Sequence, residues 1–274
     1  VKLPDSAGCG RTEGTLDDLR LHTVCQSAKC PNKWECFSRA VATFLIMGNQ
    51  CTRNCRFCNI TQGTPAPLEA DEPDRISEAV RRLGLKHVVV TSVTRDDLPD
   101  GGAAHFAAVI RTLRRDHPHC TIEVLIPDFQ GDPAALLTVL DAGPDILNHN
   151  VETVPALYPK IRPQADYQRS LDLLRRVKDY TAHPILSKSG LMLGLGEELA
   201  AVRQVIADLA AIHCDIVTIG QYMRPSREHP PVLAYVTPAE FDQLAEYGAS
   251  LGIPHMFCAP LVRSSYNAAQ FAEK

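Results

Sequence analysis

ATFLIMGNQCTRNCRFCNIT, running from Ala42 to Thr61, is the stretch from which the rest of the chain is best read. A short apolar run, Phe44-Leu45-Ile46, leads into three cysteines, Cys51, Cys55 and Cys58, spaced C-x3-C-x2-C. Thiolates this close together on a turn hold a soft metal centre. Three ligands leave one tetrahedral valence open. Zinc normally recruits a fourth residue to fill it, whereas a 4Fe–4S cubane can leave one iron to a small molecule. The neighbours Phe44, Leu45, Ile46 and Phe57 would keep such a cluster partly dry, which suits a catalytic centre better than a structural one.

Outward from that stretch, the composition limits the alternatives. The chain has 274 residues, enough for one large domain or two small ones, with a substantial core. Its net charge is only −4 and it has no basic run, so a nucleic-acid partner held through phosphates is not expected. No apolar window reaches membrane-spanning length, and VKLPDSAGCG at the start lacks the layout of a secretory signal. No membrane partner and a cytoplasmic location (or an organelle interior) are expected. Six of the ten cysteines crowd between Cys25 and Cys58, which reads as metal ligation rather than a disulfide framework. Cys120 and Cys214, beside apolar runs, read as inert core thiols.

From Ala42 onward, strand and helix patterns alternate. Strands are expected over 42–47, 87–92, 121–126, 145–150, 184–192 and 215–220, and helices over 74–83, 103–116, 133–142, 166–180, 197–212 and 238–251. ISEAVRRLGL and AAVRQVIADLAAI show the three-and-four apolar spacing of a helix with one buried face. Six strands each followed by a helix imply a parallel sheet with right-handed crossovers, either doubly wound or a barrel. Residues 1–41 read as loop-rich. They hold a second cysteine group, Cys25, Cys30 and Cys36, in HTVCQSAKCPNKWEC. By itself its C-x4-C-x5-C spacing fits a zinc site completed from elsewhere or an iron–sulfur cluster. Softness would choose a thiolate as fourth ligand, and Cys9 and Cys258 have no other assignment.

The C-x3-C-x-F-C motif resembles the signature of radical S-adenosylmethionine enzymes, and together with C-x4-C-x5-C it resembles the lipoyl synthase family within them. The likeness continues through VTSVTRDDLPDGGAAHF (Val90–Phe106), LNHNVETVP (Leu147–Pro155), SKSGLMLGLGE (Ser187–Glu197), GQYMRPSREHPPV (Gly220–Val232) and RSSYNA (Arg263–Ala268). It implies an α/β fold: a partial (β/α)6 TIM-type barrel over 42–252, with chemistry at the carboxyl ends of the strands. It also implies a loop-rich extension at 1–41 holding an auxiliary cluster, and a segment at 253–274 that closes over that cluster. The cofactors implied are two 4Fe–4S clusters and S-adenosylmethionine. Cys51, Cys55 and Cys58 would hold the catalytic cluster. Cys25, Cys30 and Cys36 would hold the auxiliary one, completed by Ser265 of R-S-S-Y.

The resemblance further implies insertion of two sulfur atoms at carbons 6 and 8 of a protein-bound octanoyl-lysine, with the auxiliary cluster as sulfur source. The partners expected are octanoylated carriers (a glycine-cleavage H protein or the lipoyl domain of a 2-oxoacid dehydrogenase), an electron donor such as flavodoxin or ferredoxin, and a carrier that rebuilds the cluster. For cofactor binding, Thr91 and Ser92 resemble the segment that meets the methionine amino group. Asn148 and Glu152 suit ribose hydroxyls. Lys188 and Arg224 suit the methionine carboxylate or the substrate carbonyl. Biotin synthase-like and methylthiotransferase-like enzymes would share C-x3-C-x2-C but lack the upstream group and R-S-S-Y. A zinc-binding module with two three-cysteine sites is the remaining rival, and it would be colourless.

Overall fold

The computed structural model describes residues 6–265, which divide into two compact units. The first comprises residues 6–52, 59–145 and 265, and the second Arg53–Cys58 and Ile146–Ser264.

The first unit opens with three helices, α1 (Ser6–Asp18), α2 (Val24–Ser27) and α3 (Lys33–Ser38), with a two-residue strand β1 (His22–Thr23) between α1 and α2. The expected loop-rich extension is therefore largely helical. Next come β2 (Thr43–Ile46) and a small two-stranded pair, β3 (Gln50–Cys51) with β4 (Thr61–Gln62). The unit ends with α4 (Glu72–Leu83), β5 (His87–Ser92), α5 (Ala103–Asp116), β6 (Thr121–Leu125) and α6 (Pro133–Leu140). β2, β5 and β6 are parallel, and β1 lies antiparallel on β2.

Local chemistry sets these boundaries. Gly84 ends α4 in the left-handed conformation, at φ 65°, which glycine adopts without steric cost. Asp132 caps α6 by accepting the Ala134 N–H at 2.9 Å, and Pro133 opens its first turn. Val88, Val89 and Val90 are all buried, as a strand covered on both faces requires. Ile76 and Val80 of α4 and Phe106, Ile110 and Leu113 of α5 are fully buried too. Each such side chain contributes about 1.5–3 kcal/mol relative to exposure.

The second unit runs β7 (Ile146–Asn148), α7 (Tyr158–Ile161), α8 (Tyr167–Asp179), β8 (Leu186–Leu193), α9 (Leu199–Ala211), β9 (Ile216–Gln221), α10 (Pro238–Ser250) and β10 (His255–Cys258). Its four strands are parallel in that order. Asp166 caps α8 through the Arg169 N–H at 2.7 Å, and Thr237 with Glu240 forms a reciprocal capping box on α10. Leu191, Leu193, Val205, Ile206, Leu209, Val217, Ile219, Phe241 and Leu244 form its core.

The six strands and six long helices expected from 42 onward are present, with ends shifted by up to a few residues. Four strands were not expected, two of them the short β3–β4 pair. β1 adds an antiparallel neighbour to β2, and β10 adds a parallel neighbour to β9 within the segment expected to serve only as a closure. Residues 266–274, including Tyr266 to Ala268 of R-S-S-Y-N-A, lie outside the described residues.

Candidate iron–sulfur and cofactor sites

Cys51 ends β3 in the first unit. Its Sγ accepts the Thr94 N–H at 3.3 Å, a bond that stabilises a thiolate and its metal complex. The loop after β5 grips the same turn. The Thr52 N–H donates to Thr94 O at 3.1 Å and the Asp96 N–H to the Thr52 hydroxyl oxygen at 3.1 Å. Entry to this turn is fixed at Met47, whose φ is 65°. The Met47 N–H donates to Glu72 Oε2 at 3.0 Å, and that oxygen lies 2.6 Å from His105 Nε2. Gly102 at φ 90° packs on Met47 so closely that an added Cβ would stand 2.4 Å from its Sδ. The turn leading to the cysteines is thus built from buried, bonded groups rather than left loose.

Cys55 and Cys58 belong to the second unit. The Cys58 N–H closes a turn on Cys55 O at 3.0 Å. The Asn54 N–H donates to Gln164 Oε1 at 2.9 Å and the Arg56 N–H to Ile161 O at 2.8 Å. Phe57 packs against Ile161, Leu195 and Tyr222. His229 Nε2 sits 3.1 Å from Cys58 O, and its Nδ1 lies 2.8 Å from Ser226 Oγ. His229, which no motif marks, thereby supports the cysteine turn.

The second cysteine group gathers in the first unit. Cys25 lies on α2 and Cys36 on α3, with Cys30 in the turn between them. Burial raises the Cys25 thiol, with Cys30 adding to the rise. Burial pushes the Cys36 thiol up to about 12, and Cys25 and Cys30 both add to it. Neighbouring sulfurs that add to the rise at Cys25 and Cys36 form a donor set that a cationic centre stabilises. α1 braces α3: the Thr12 hydroxyl donates to Phe37 O at 2.8 Å and the Cys9 thiol to Trp34 O at 3.2 Å. Lys33 pairs with Glu13 at 2.9 Å.

Ser265, the last described residue, accepts a 2.8 Å hydrogen bond from the Thr43 hydroxyl, and Thr43 lies near enough to Cys25 to offset part of the rise in its thiol. Ser265 is thus one shared residue away from Cys25. Cys258 lies in the second unit, packed on its apolar core, where burial pushes its thiol up to about 12. None of the ten cysteines is in a disulfide. Among the described residues no three His, Cys, Asp or Glu side chains converge as ligands of one metal ion. A cubane, whose irons occupy separate corners, does not ask for that convergence.

The cofactor-binding candidates differ from one another in state. Ser92 Oγ is buried without a hydrogen-bond partner, as are both amide atoms of Asn148, which is 1% exposed. Buried polar atoms without partners cost about 1–3 kcal/mol each, and a bound polar ligand removes that cost. Thr91 is committed elsewhere, its hydroxyl donating to Leu125 O at 2.9 Å. Glu152 adopts a left-handed φ of 65°, and burial raises its carboxyl above the usual range, opposed by Arg162 and by a bond from Asn150. Asn150 Nδ2 also donates to Ser264 Oγ at 2.7 Å, tying down the other serine of R-S-S-Y. Lys188 is fully buried on β8. Arg224 donates from Nε to His229 O at 2.7 Å and from its terminal nitrogen to Arg227 O. Gly194 and Gly196 make a tight turn after β8, at φ 106° and 102°, and Glu197 accepts the Gly194 and Leu195 N–H groups.

Residues 45–209 match the model of the Radical SAM superfamily. The chain is 63% identical over 274 residues to a lipoyl synthase of Oleidesulfovibrio alaskensis, covering 100% of this chain and 93% of that protein. It is 57% identical over 263 residues to a lipoyl synthase of Caldanaerobacter subterraneus, covering 96% and 92%. Among solved structures, methylornithine synthase superposes with a TM-score of 0.56 at 14% identity, covering 93% of this chain and 79% of that one. A hydrogenase maturase gives 0.59 at 16% identity, covering 84% and 61%. Likeness at such low identity speaks to fold alone, and the fold is the α/β, partial-barrel arrangement of radical S-adenosylmethionine enzymes. With the relatives spanning nearly its whole length, the chain belongs to the lipoyl synthase family of the radical SAM superfamily.

Proposed function

We infer that this chain inserts two sulfur atoms, at carbons 6 and 8, into an octanoyl-lysine presented on a lipoyl-carrier protein. It is a sulfurtransferase that uses S-adenosylmethionine and 4Fe–4S clusters. The observation that carries this reading beyond family membership is the second cysteine group, with Ser265 held through Thr43 beside Cys25. When bound, the clusters and S-adenosylmethionine supply C–H cleavage and the sulfur itself, which no side chain can provide.

In this proposal Cys51, Cys55 and Cys58 hold the catalytic cluster, while Cys25, Cys30, Cys36 and Ser265 hold the auxiliary one. The extension at 1–41 and the segment at 253–274 serve the auxiliary cluster, and 42–252 binds the cofactor. A hard serine oxygen is a weak match for iron, which suits a cluster that must come apart. Ser92 and Asn148 present unsatisfied polar atoms to the cofactor's amino group and ribose. Glu152, raised by burial and bonded by Asn150 at one carboxyl oxygen, would accept from a diol through the other. Thr91, Lys188 and Arg224 complete the binding set. The chain's own tasks are orientation and exclusion of water and stray hydrogen donors.

The carriers that fit are a glycine-cleavage H protein and the lipoyl domains of 2-oxoacid dehydrogenases. A flavodoxin or ferredoxin would supply electrons, and a separate carrier protein would rebuild the auxiliary cluster. No helix among the described residues is long and apolar enough to cross a membrane, in keeping with a cytoplasmic setting.

Two variants of the reconstituted protein, incubated anaerobically with S-adenosylmethionine, dithionite and an octanoyl-lysine peptide, separate the two sites. Cys30→Ala should still form 5′-deoxyadenosine but leave the peptide without sulfur. Cys55→Ala should do neither. Sulfur on the peptide from Cys30→Ala would overturn the division of labour.

A further inference from the structure

Thr43 is a polar residue at the head of the otherwise apolar strand TFLI, and it is 5% exposed. Nothing in the strand's pairing asks for a hydroxyl, and valine is at least as good a strand former. Burying a hydroxyl costs free energy unless it is bonded. Here the bond goes to one residue of the proposed auxiliary site, in the neighbourhood of another. The hydroxyl donates to Ser265 Oγ at 2.8 Å, and Thr43 neighbours Cys25, where its polar groups offset part of the rise that burial causes in the thiol. The backbone around it is rigid. β2 pairs with β5 through Thr43 and Val89, and with β1, which ends at the residue before α2 and its Cys25.

We propose that Thr43 is a positioning residue of the auxiliary site, holding Ser265 Oγ beside Cys25 and donating to that oxygen when it is an anionic ligand. The proposal rests on the reading of Ser265 as fourth ligand. A threonine hydroxyl has one proton to give. The Thr43 amide can serve the sulfur, which leaves the hydroxyl proton for the oxygen. A hydrogen bond to an ionised oxygen is about twice as strong as a neutral one. It also restricts the side-chain rotation by which a serine swings off iron. Thr43 therefore sets how long the weakest ligand of the cluster stays in place.

The test reads iron rather than product. Full-length protein reconstituted with both clusters is exposed to an iron chelator, and iron release is followed optically. The auxiliary phase is identified as the one missing from Cys30→Ala. Thr43→Val should release auxiliary iron roughly tenfold faster than the unaltered chain, and Thr43→Ser within about twofold of it, the scale of one charge-assisted hydrogen bond. The double variant Thr43→Val with Ser265→Ala should be no faster than Ser265→Ala alone, because the hydroxyl acts through that oxygen. An unaltered far-ultraviolet circular dichroism spectrum, with the visible absorption of the catalytic cluster still present, shows that the fold and the other cluster are intact. If Thr43→Val fails to load the clusters, Thr43→Ala takes its place with the same expectation. Equal release from the unaltered chain and the hydroxyl-free variant, with Ser265→Ala faster than both, would overturn the role of Thr43 and leave the ligand reading standing. Equal release from Ser265→Ala and the unaltered chain would overturn the ligand reading and this proposal with it.

Discussion

At the scale of single residues, the structure separates groups that the sequence could only place side by side. Asn148 is buried with both amide atoms unpartnered, a cost that the protein bears in the absence of ligand. Asn148→Leu should therefore raise the melting temperature of the cofactor-free protein while weakening S-adenosylmethionine binding at least about tenfold, as loss of hydrogen bonds to a buried polar ligand does. Differential scanning fluorimetry and equilibrium binding check the two halves, and a variant that is less stable and binds normally would refute the assignment. Cys214 is a different case, a core thiol pushed by burial from 9.0 up to about 12. Its neutral form is the folded form, so the stability it brings is intact below 9.0 and is lost as pH climbs toward about 12. Cys214→Ala should flatten the fall of the urea midpoint across that window. An unchanged slope would mean that other groups govern the alkaline limb. The two cysteine groups stood out by spacing because ligand chemistry constrains spacing. Thr43, Thr94 and His229 were not, because a hydroxyl at the head of an apolar strand, a backbone amide and a loop histidine acquire meaning only from what they face.

At the scale of elements, the alternation of β5, α5, β6 and α6, and of β8, α9, β9 and α10, was readable because each helix has a repeating apolar face and each strand an apolar run. α1 was not readable. Its sequence, SAGCGRTEGTLDD, contains three glycines and a single leucine, so neither propensity nor periodicity marks it. Its stability is tertiary, drawn from its contacts with α3, and this ties it to the site because α3 bears Cys36. Thr12→Val, which removes the bond to Phe37 O, should cost about 1 kcal/mol. It should lower iron retained at the auxiliary site while leaving 5′-deoxyadenosine formation intact. Full auxiliary iron in a destabilised Thr12→Val protein would show that α1 supports the fold and not the site. β10 escaped notice for a simpler reason: HMFC is four residues long, and its place in the sheet comes from its ladder to β9.

At the scale of the whole molecule, two cysteine sites with different supports sit on one chain, and the account gives them different fates. Cys51 is gripped by the Thr94 amide, and Cys58 is backed by His229 and by the packing of Phe57, an arrangement suited to a cluster that persists. In the proposed function Cys25, Cys30 and Cys36 share their cluster with Ser265, whose hard oxygen is the ligand most easily lost. The measurement that tests this most directly is mass spectrometry of an octanoyl-lysine peptide after one turnover by protein whose clusters were built with heavy-isotope sulfide, in a solution containing only ordinary sulfide. The account predicts that both sulfurs in the product are heavy, that each chain makes no more than one product, and that iron is lost from the auxiliary site alone. Ordinary sulfur in the product, or an auxiliary cluster still whole after turnover, would contradict it.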